Sequence, residues 1–382
     1  MYSLIKSNEN LSQDFPKTSH MGYGMKRKKV LFAVESMGGG VFTYIADLAN
    51  ELVKKHDIYI AYGLRKQTPK NYKDYFNPKI RLICVDSFTR SINPVQDIRA
   101  YFELKKMAEQ IKPDIIHLHS SKAGVLGRIA FRKLNIPLFY TPHGYSFLMQ
   151  DQNIIKRRLY SAIEHFCGKI NCTTICCSKG EYAEALKITG QAACIDNGIN
   201  IKLLQKSIDE ADSGYPDHKD TFTVFTLGRI CRQKNPKMFN EIAQSLPDIR
   251  FIWIGDGELR NELHSPNITV TGWVERSQAV NLSLSADAFI LTSSWEGLPI
   301  SLLEAMYMKK PCIVSDVIGN HDVIKTGVNG YVCKNVNDFI TAINSVQTSF
   351  PDNLVQKSYS EICTHYNIVE MAYQYEKIYF RQ

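Results

Sequence analysis

The sequence predicts an α/β protein built from two doubly wound, parallel-sheet domains. Three observations lead there. Short apolar runs such as Val30-Leu-Phe-Ala-Val34 alternate with helical patterns along nearly the whole chain. That is the signature of a parallel sheet with helices on both faces. At 382 residues the chain has room for more than one domain. A charged stretch, Ile208 to Asp220, carries Gly214 and Pro216 and interrupts the alternation as an interdomain link would.

Composition narrows the class. A hydrophobic fraction of 44% is ample for buried cores. No apolar run approaches the ~18 residues of a membrane-crossing helix. Met1 to Phe15 lacks the apolar core of a secretory signal. The ten cysteines are then expected as free thiols in a cytoplasmic protein, with Cys172, Cys176 and Cys177 buried. No second Cys or His pair offers matching spacing, so no metal site and no cofactor is expected. Charge is uneven: residues 1–200 hold 29 Lys and Arg against 17 Asp and Glu, although the whole chain is only +8. A basic first half points to an anionic surface such as lipid headgroups or a lipid diphosphate. No nucleic-acid-binding motif is present.

In order, residues 1–24 read as a loose polar arm, and the fold is expected to begin near Met25. A first domain follows over 25–200. Its first strand leads into Gly38-Gly39-Gly40 and a helix from Val41, a loop where backbone can approach a ligand closely. It is neither the dinucleotide pattern nor a P-loop. Strands are expected at Asp57–Ala61, Arg81–Val85, Asp114–His119, Leu138–Tyr140 and Thr174–Cys177. Helices are expected at Asp97–Ile111, Lys122–Leu134, Asn153–Phe166 and Lys179–Lys187. In this architecture ligands bind outside the carboxyl ends of strands. His119, Ser120 and His143 fall at such ends, His143 as a candidate for reaching into a cleft or as an ordinary loop histidine. His117 reads as structural. Lys156-Arg157-Arg158 reads either as a solvated face or as a contact for headgroups or phosphate.

The second domain, 201–364, opens with Phe222–Leu227 and Gly228-Arg229…Lys234-Asn235-Pro236. An Arg and a Lys in one strand-end loop suit a diphosphate. Phe251–Ile254 runs into Gly255-Asp-Gly257, and Val270–Val274 ends another strand. Ala288–Leu291 leads through Glu296-Gly-Leu298-Pro299 into a helix, where Ser301 and Glu304 have the spacing of a capping box. Free amides of Leu298 to Ser301 would receive phosphate at that helix start. The final helix, within 365–382, is expected to cross back to the first domain.

Glu296 and Glu304, seven apart with Gly-Leu-Pro after the first, resemble the paired-glutamate motif of retaining family-4 glycosyltransferases. The Gly-Arg…Lys and Gly-Asp-Gly segments also resemble theirs and occur in family order. His119-Ser-Ser-Lys-Ala-Gly124 with Thr141-Pro-His-Gly-Tyr145 looks like the capsular-polysaccharide and lipid-linked-oligosaccharide branch. The resemblance implies a GT-B fold, two Rossmann-like domains facing across a cleft. It implies transfer of a sugar, from a UDP-sugar and as an N-acetylhexosamine, to a hydroxyl of a polyprenyl-diphosphate-linked or other saccharide acceptor. The work would be done at the cytoplasmic membrane surface without metal. By the same resemblance Gly39 and Gly40 approach the ligands. Arg229, Lys234, Leu298 and Pro299 hold the diphosphate, with Gly255 beside them. Val274 holds the base, Glu304 the ribose, Glu296 the sugar, and His143 the sugar or departing phosphate. Asn235 stands where glycine is commoner. A nucleotide-sugar epimerase of the same fold and a non-catalytic nucleotide-sugar-binding partner are the alternatives.

Overall fold

The computed structural model describes residues 27–35, 37–65, 68–89, 93–149, 152–211 and 221–380. The arm at 1–24, the start at Met25 and most of the link at 212–220 lie outside them. In chain order the first half gives β1 (Lys29–Val34), α1 (Gly39–Leu52), β2 (Asp57–Tyr62), β3 (Arg81–Cys84), α2 (Pro94–Ile111), β4 (Ile115–His119) and α3 (Ser121–Phe131). Then come β5 (Leu138–Thr141), α4 (Ile154–Cys167), β6 (Thr173–Cys176), α5 (Lys179–Leu186), β7 (Ala192–Cys194) and α6 (Ile201–Asp209). These strands form one parallel sheet in the order β3-β2-β1-β4-β5-β6-β7. Ile208 and Asp209 therefore end a helix rather than open a linker.

The second half gives β8 (Thr223–Leu227), α7 (Pro236–Ser245), β9 (Arg250–Ile254), β10 (Ile268–Val270), α8 (Arg276–Ser285), β11 (Ala288–Leu291) and α9 (Ile300–Tyr307). It continues with β12 (Cys312–Ser315), α10 (Asn320–Val323), β13 (Tyr331–Cys333), α11 (Val336–Thr348), α12 (Asp352–Thr364) and α13 (Ile368–Phe380). Its parallel sheet is ordered β10-β9-β8-β11-β12-β13.

In both sheets the strand order reverses once, beside β1 and β4 in the first and beside β8 and β11 in the second. Chain leaving those strands forms the loops around a ligand crevice. The strands are apolar on both faces because helices cover both: Val30 to Val34 are all fully buried. Helix starts follow capping chemistry. α2 begins three residues before the expected Asp97, because Asn93 accepts the amides of Val95 and Gln96 and Pro94 takes the first helical position.

The last helix lies on the first domain. Tyr375 of α13 shares a hydroxyl hydrogen bond with Tyr44 of α1, and Glu376 pairs with Lys55 at 2.8 Å. Tyr379 bonds His117 in β4. One apolar cluster consequently runs from Phe32 and Ile45 through Met371 to Leu302 and Leu291, joining the two halves.

Helices α3 and α4 are joined by a buried ion pair. Arg128 donates to Glu164 at 2.7 Å and through Nε to the Gly124 carbonyl at 2.9 Å. Tyr140 donates to the same carboxylate at 3.0 Å, and the guanidinium lies over the Tyr140 ring at 4.2 Å. Removing one partner strands a desolvated charge, which costs about 3–5 kcal/mol. Arg128→Ala should therefore lower unfolding free energy by about that much in urea titration, more than Arg158→Ala on the exposed side of α4.

Candidate active site

The site grows from the loop between β11 and α9. Glu296 is 7% exposed. Its Oε1 receives Lys234 Nζ at 2.7 Å and Ser293 Oγ at 2.6 Å, and Oε2 receives Gln233 Nε2 at 3.1 Å. The Lys234 loop is fastened to the β11 end, with Ser294 N donating to Gln233 O at 2.8 Å and Thr292 Oγ1 to Lys234 O at 2.8 Å. Three donors around one carboxylate offset much of the cost of burying it.

Arg229 departs from the clamp geometry. Its guanidinium turns to Glu258, with Nη2 to Oε2 at 2.8 Å, in a largely exposed pair. Its backbone neighbour Gly228 touches Gly255, where a Cβ would stand 2.2 Å from the Gly228 carbonyl oxygen. Gly255 also has φ +140°, so only glycine lets these two strand-end loops meet.

The expected capping box does not form. Helix α9 begins at Ile300 with Pro299 as N-cap, which places Ser301 inside the first turn. No side chain caps that start. A helix start with no side-chain cap among the described residues suits an anion. Glu304 instead receives Arg276 Nη2 at 2.7 Å. Arg276 opens α8, two residues past the half-buried Val274. Asp47, from α1 of the first domain, completes a charged cluster across the cleft. Burial pushes its carboxyl up to about 6, opposed by Arg276 and reinforced by Glu304.

Facing Glu296 is the loop after β5. A Cβ on Gly297 would lie 3.2 Å from Gly144 N, so the loops of the two domains touch at a pair of glycines. His143 has φ +56° and Gly144 φ +93°. Glu181 holds this turn, accepting Gly144 N at 2.6 Å and Cys177 N at 2.7 Å. Burial raises Glu181 to about 7 despite those amides. Further bridges cross between the domains: Asn197 Nδ2 to Leu298 O at 2.7 Å, and Gly180 N to Asp322 Oδ2 at 3.0 Å.

The His143 ring turns toward the first domain's interior. Its Nε2 meets His119 Nδ1 at 3.1 Å and its Nδ1 lies 3.7 Å from Cys177 Sγ. Tyr44 stands edge-on to it at 4.6 Å. Burial lowers His143 to about 3, so the imidazole is neutral at pH 7. His119 does not line the cleft. It is fully buried behind His143, because it ends a central strand under α1 and α13. Ser120 lies half-buried at that strand's end with φ +72°. His117 bonds Thr141 and Tyr379 and is structural. Gly39, φ +58°, and Gly40 open α1 with empty space where their Cβ atoms would be.

Sequence reasoning missed Asp47, Tyr44, Arg276 and Glu181. Only Glu181 had a local signal, the Ser178-Lys-Gly-Glu181 spacing, whose Ser178 accepts Glu181 N at 3.3 Å. Among the described residues, no group of three His, Cys, Asp or Glu is placed to hold a metal ion. Among them also, no helix is long and apolar enough to cross a membrane.

Asp47 gives a pH signature. With its folded pKa above the unfolded value of 3.8, the folded state binds the extra proton between pH 4 and about 6. Its contribution to stability is therefore lost as pH rises through that window. Relative to Asp47→Asn, the natural protein should lose about 1–2 kcal/mol of stability between pH 4.5 and 7.5, read by chemical denaturation. An unchanged difference would place Asp47 in solvent.

Two family models match the chain: "Glycosyltransferase Family 4" over residues 38–203 and "Glycosyl transferases group 1" over 207–349. A relative from Escherichia coli, UDP-Gal:alpha-D-GlcNAc-diphosphoundecaprenol alpha-1,3-galactosyltransferase, is 30% identical over 338 residues, 80% of this chain and 85% of that one. Among solved structures, sucrose-phosphate synthase from Thermosynechococcus elongatus superposes with TM-score 0.79 at 16% identity, covering 93% of this chain and 99% of the other. Anabaena HepE in complex with UDP and glucose gives 0.76 at 16% identity, covering 93% and 100%. Two facing Rossmann-like domains make this the GT-B architecture, and the chain belongs to the family-4 glycosyltransferases.

Proposed function

We propose that this glycosyltransferase moves a hexose, with retention, from a UDP-sugar to a hydroxyl of a saccharide carried on a lipid diphosphate. The reaction takes place at the cytoplasmic face of a membrane, in surface-polysaccharide assembly. The observation that carries the reading is one loop–helix unit. Glu296, the uncapped start of α9 and Glu304 lie along it, with Lys234 of the β8–α7 loop bonded to Glu296 and Gly144 opposite across the cleft. The E. coli relative, named for a UDP-galactose donor and a diphosphoundecaprenol acceptor, supplies the substrate class.

In this reading Glu304 takes the ribose hydroxyls after Arg276 releases it, and the backbone near Val274 meets the base. The diphosphate sits on the amides of Leu298 to Ser301 with Lys234 beside it. Arg229 joins by swinging from Glu258, an exposed pair that costs little to break. Glu296 holds the sugar hydroxyls. Gly39 and Gly40 leave room for donor and acceptor. The anomeric carbon–oxygen bond to the β-phosphate breaks, and the acceptor oxygen bonds that carbon on the same face. The acceptor proton passes to the departing phosphate oxygen. Lys234 and the helix amides stabilise the developing charge, and no step calls for a metal. His143, neutral and engaged on both nitrogens, shapes the sugar pocket through its left-handed turn. Its imidazole is not the proton carrier. The two glutamates are not a glycosidase pair, since one is assigned to the ribose.

UDP should raise the melting temperature, and Glu304→Ala should weaken UDP binding by roughly 10- to 100-fold, the scale of a lost charge-assisted hydrogen bond. Stabilisation by a different nucleotide with none by UDP would overturn the donor assignment. With UDP-galactose, UDP-N-acetylhexosamines and a lipid-diphosphate-linked saccharide, Lys234→Ala should cut kcat by roughly 100- to 1,000-fold. A product with inverted anomeric configuration would refute the mechanism. Isomerised donor without transfer would make the enzyme an epimerase.

A further inference from the structure

The outer face of the first domain is apolar and basic where solvent-facing helices are usually polar. On α4, Ile155, Leu159 and Phe166 follow one another at helical spacing and are 75%, 51% and 60% exposed. On α2, Val95, Ile98 and Phe102 do the same at 61%, 59% and 62%. Both helices pack against α3, one on each side, so the two stripes flank a single surface. Scattered exposed hydrophobics are ordinary, but two parallel stripes are not.

Charge decides what covers this face. Helix α4 carries Lys156, Arg157 and Arg158, and its only carboxylate, Glu164, is buried against Arg128. From Asn93 to Lys169 the chain has twelve Lys and Arg against six Asp and Glu. A symmetric pair of copies would bring this basic face onto itself. An anionic bilayer satisfies both features, taking large apolar side chains at the acyl boundary with Lys and Arg among the headgroups. The position also fits. In a parallel α/β unit, helices run opposite to strands, so the first turns of α2 and α4 stand at the cleft end of the sheet. Residues 146–153 link the His143-Gly144 turn to α4, and Arg157 Nε donates to Phe147 O at 2.9 Å along that link.

We infer that the α2–α4 face seats the first domain on an anionic lipid surface, with the cleft opening at the headgroup level. The inference rests on the proposed lipid-linked acceptor for its purpose, and on exposure and charge for its geometry.

Flotation of the full-length protein with vesicles tests it. Binding is expected to phosphatidylglycerol–phosphatidylcholine vesicles, with weaker binding to phosphatidylcholine alone and at high salt. The triple variant Phe102→Glu, Ile155→Glu, Leu159→Glu should bind the mixed vesicles roughly tenfold more weakly or worse. Lys156→Ser with Arg158→Ser should lose roughly fivefold for each charge removed. The five positions are exposed, so thermal melts and the UDP-induced shift should stay as in the natural protein. Failure to float with either vesicle, or unchanged binding by the triple variant, overturns the inference. So does light scattering that shows a dimer which the same substitutions split. Vesicle binding without any UDP shift would instead sink the proposed donor while leaving this surface standing.

Discussion

The Lys234–Glu296 ion pair is the interaction on which the site depends. Its side chains are 15% and 6% exposed, so each charge has given up most of its water. Such a pair is retained only with good geometry and further hydrogen bonds, which Ser293 and Gln233 supply. The bond also crosses between loops leaving β8 and β11, the strands at the sheet's reversal point. It therefore fixes where the ammonium stands relative to the start of α9. In the proposed function, a diphosphate arriving there meets a cation already desolvated and already placed. The reorganisation that would otherwise be needed is built into the fold, which is how preorganised electrostatics lowers a barrier.

The two domains meet through small polar contacts around the same point. Asn197 holds the Leu298 carbonyl, Asp322 receives the Gly180 amide, and Gly144 touches Gly297. At the opposite end of the cleft wall, Asp47 faces the Arg276–Glu304 pair. In the proposed function, the loops assigned to the sugar end and to the ribose end of the donor thus each have a contact that crosses between domains. The apolar link is made elsewhere, by α13 on α1, so the cleft can stay polar without the halves depending on it for cohesion.

Much of this was legible because strand-end loops are local in sequence. Lys234 and Glu296 could be found from their own segments, and alternation gave the order of most strands and helices. The second-domain helices α7, α8, α11 and α12 went unassigned, because attention there followed the strand-end motifs. The Ser301–Glu304 capping box was misread because Pro299 starts the helix early enough to put Ser301 inside it. The true S-x-x-E start was Ser178–Glu181, where the carboxylate goes on to brace the His143–Gly144 turn. Asp47, Arg276 and Tyr375 were out of reach for a different reason. Each acts on a residue far along the chain or in the other domain, and no spacing rule encodes such a meeting.

His143 shows why placement must precede chemistry. A strand-end histidine followed by glycine reads as a group reaching into the cleft, where the resemblance implies contact with the sugar or the departing phosphate. Yet its ring is backed by His119, Cys177 and Tyr44, and Tyr44 in turn by Tyr375 of the last helix. Burial that deep keeps the ring neutral and leaves neither nitrogen free to aim at the cleft. Mobilising it would break the stack that anchors α13 to the first domain. What the turn does present to the cleft is backbone, held at positive φ by His143 and Gly144 and steadied by Glu181. In the proposed function, charge stabilisation then falls to the Lys234 ammonium and the amides at the start of α9.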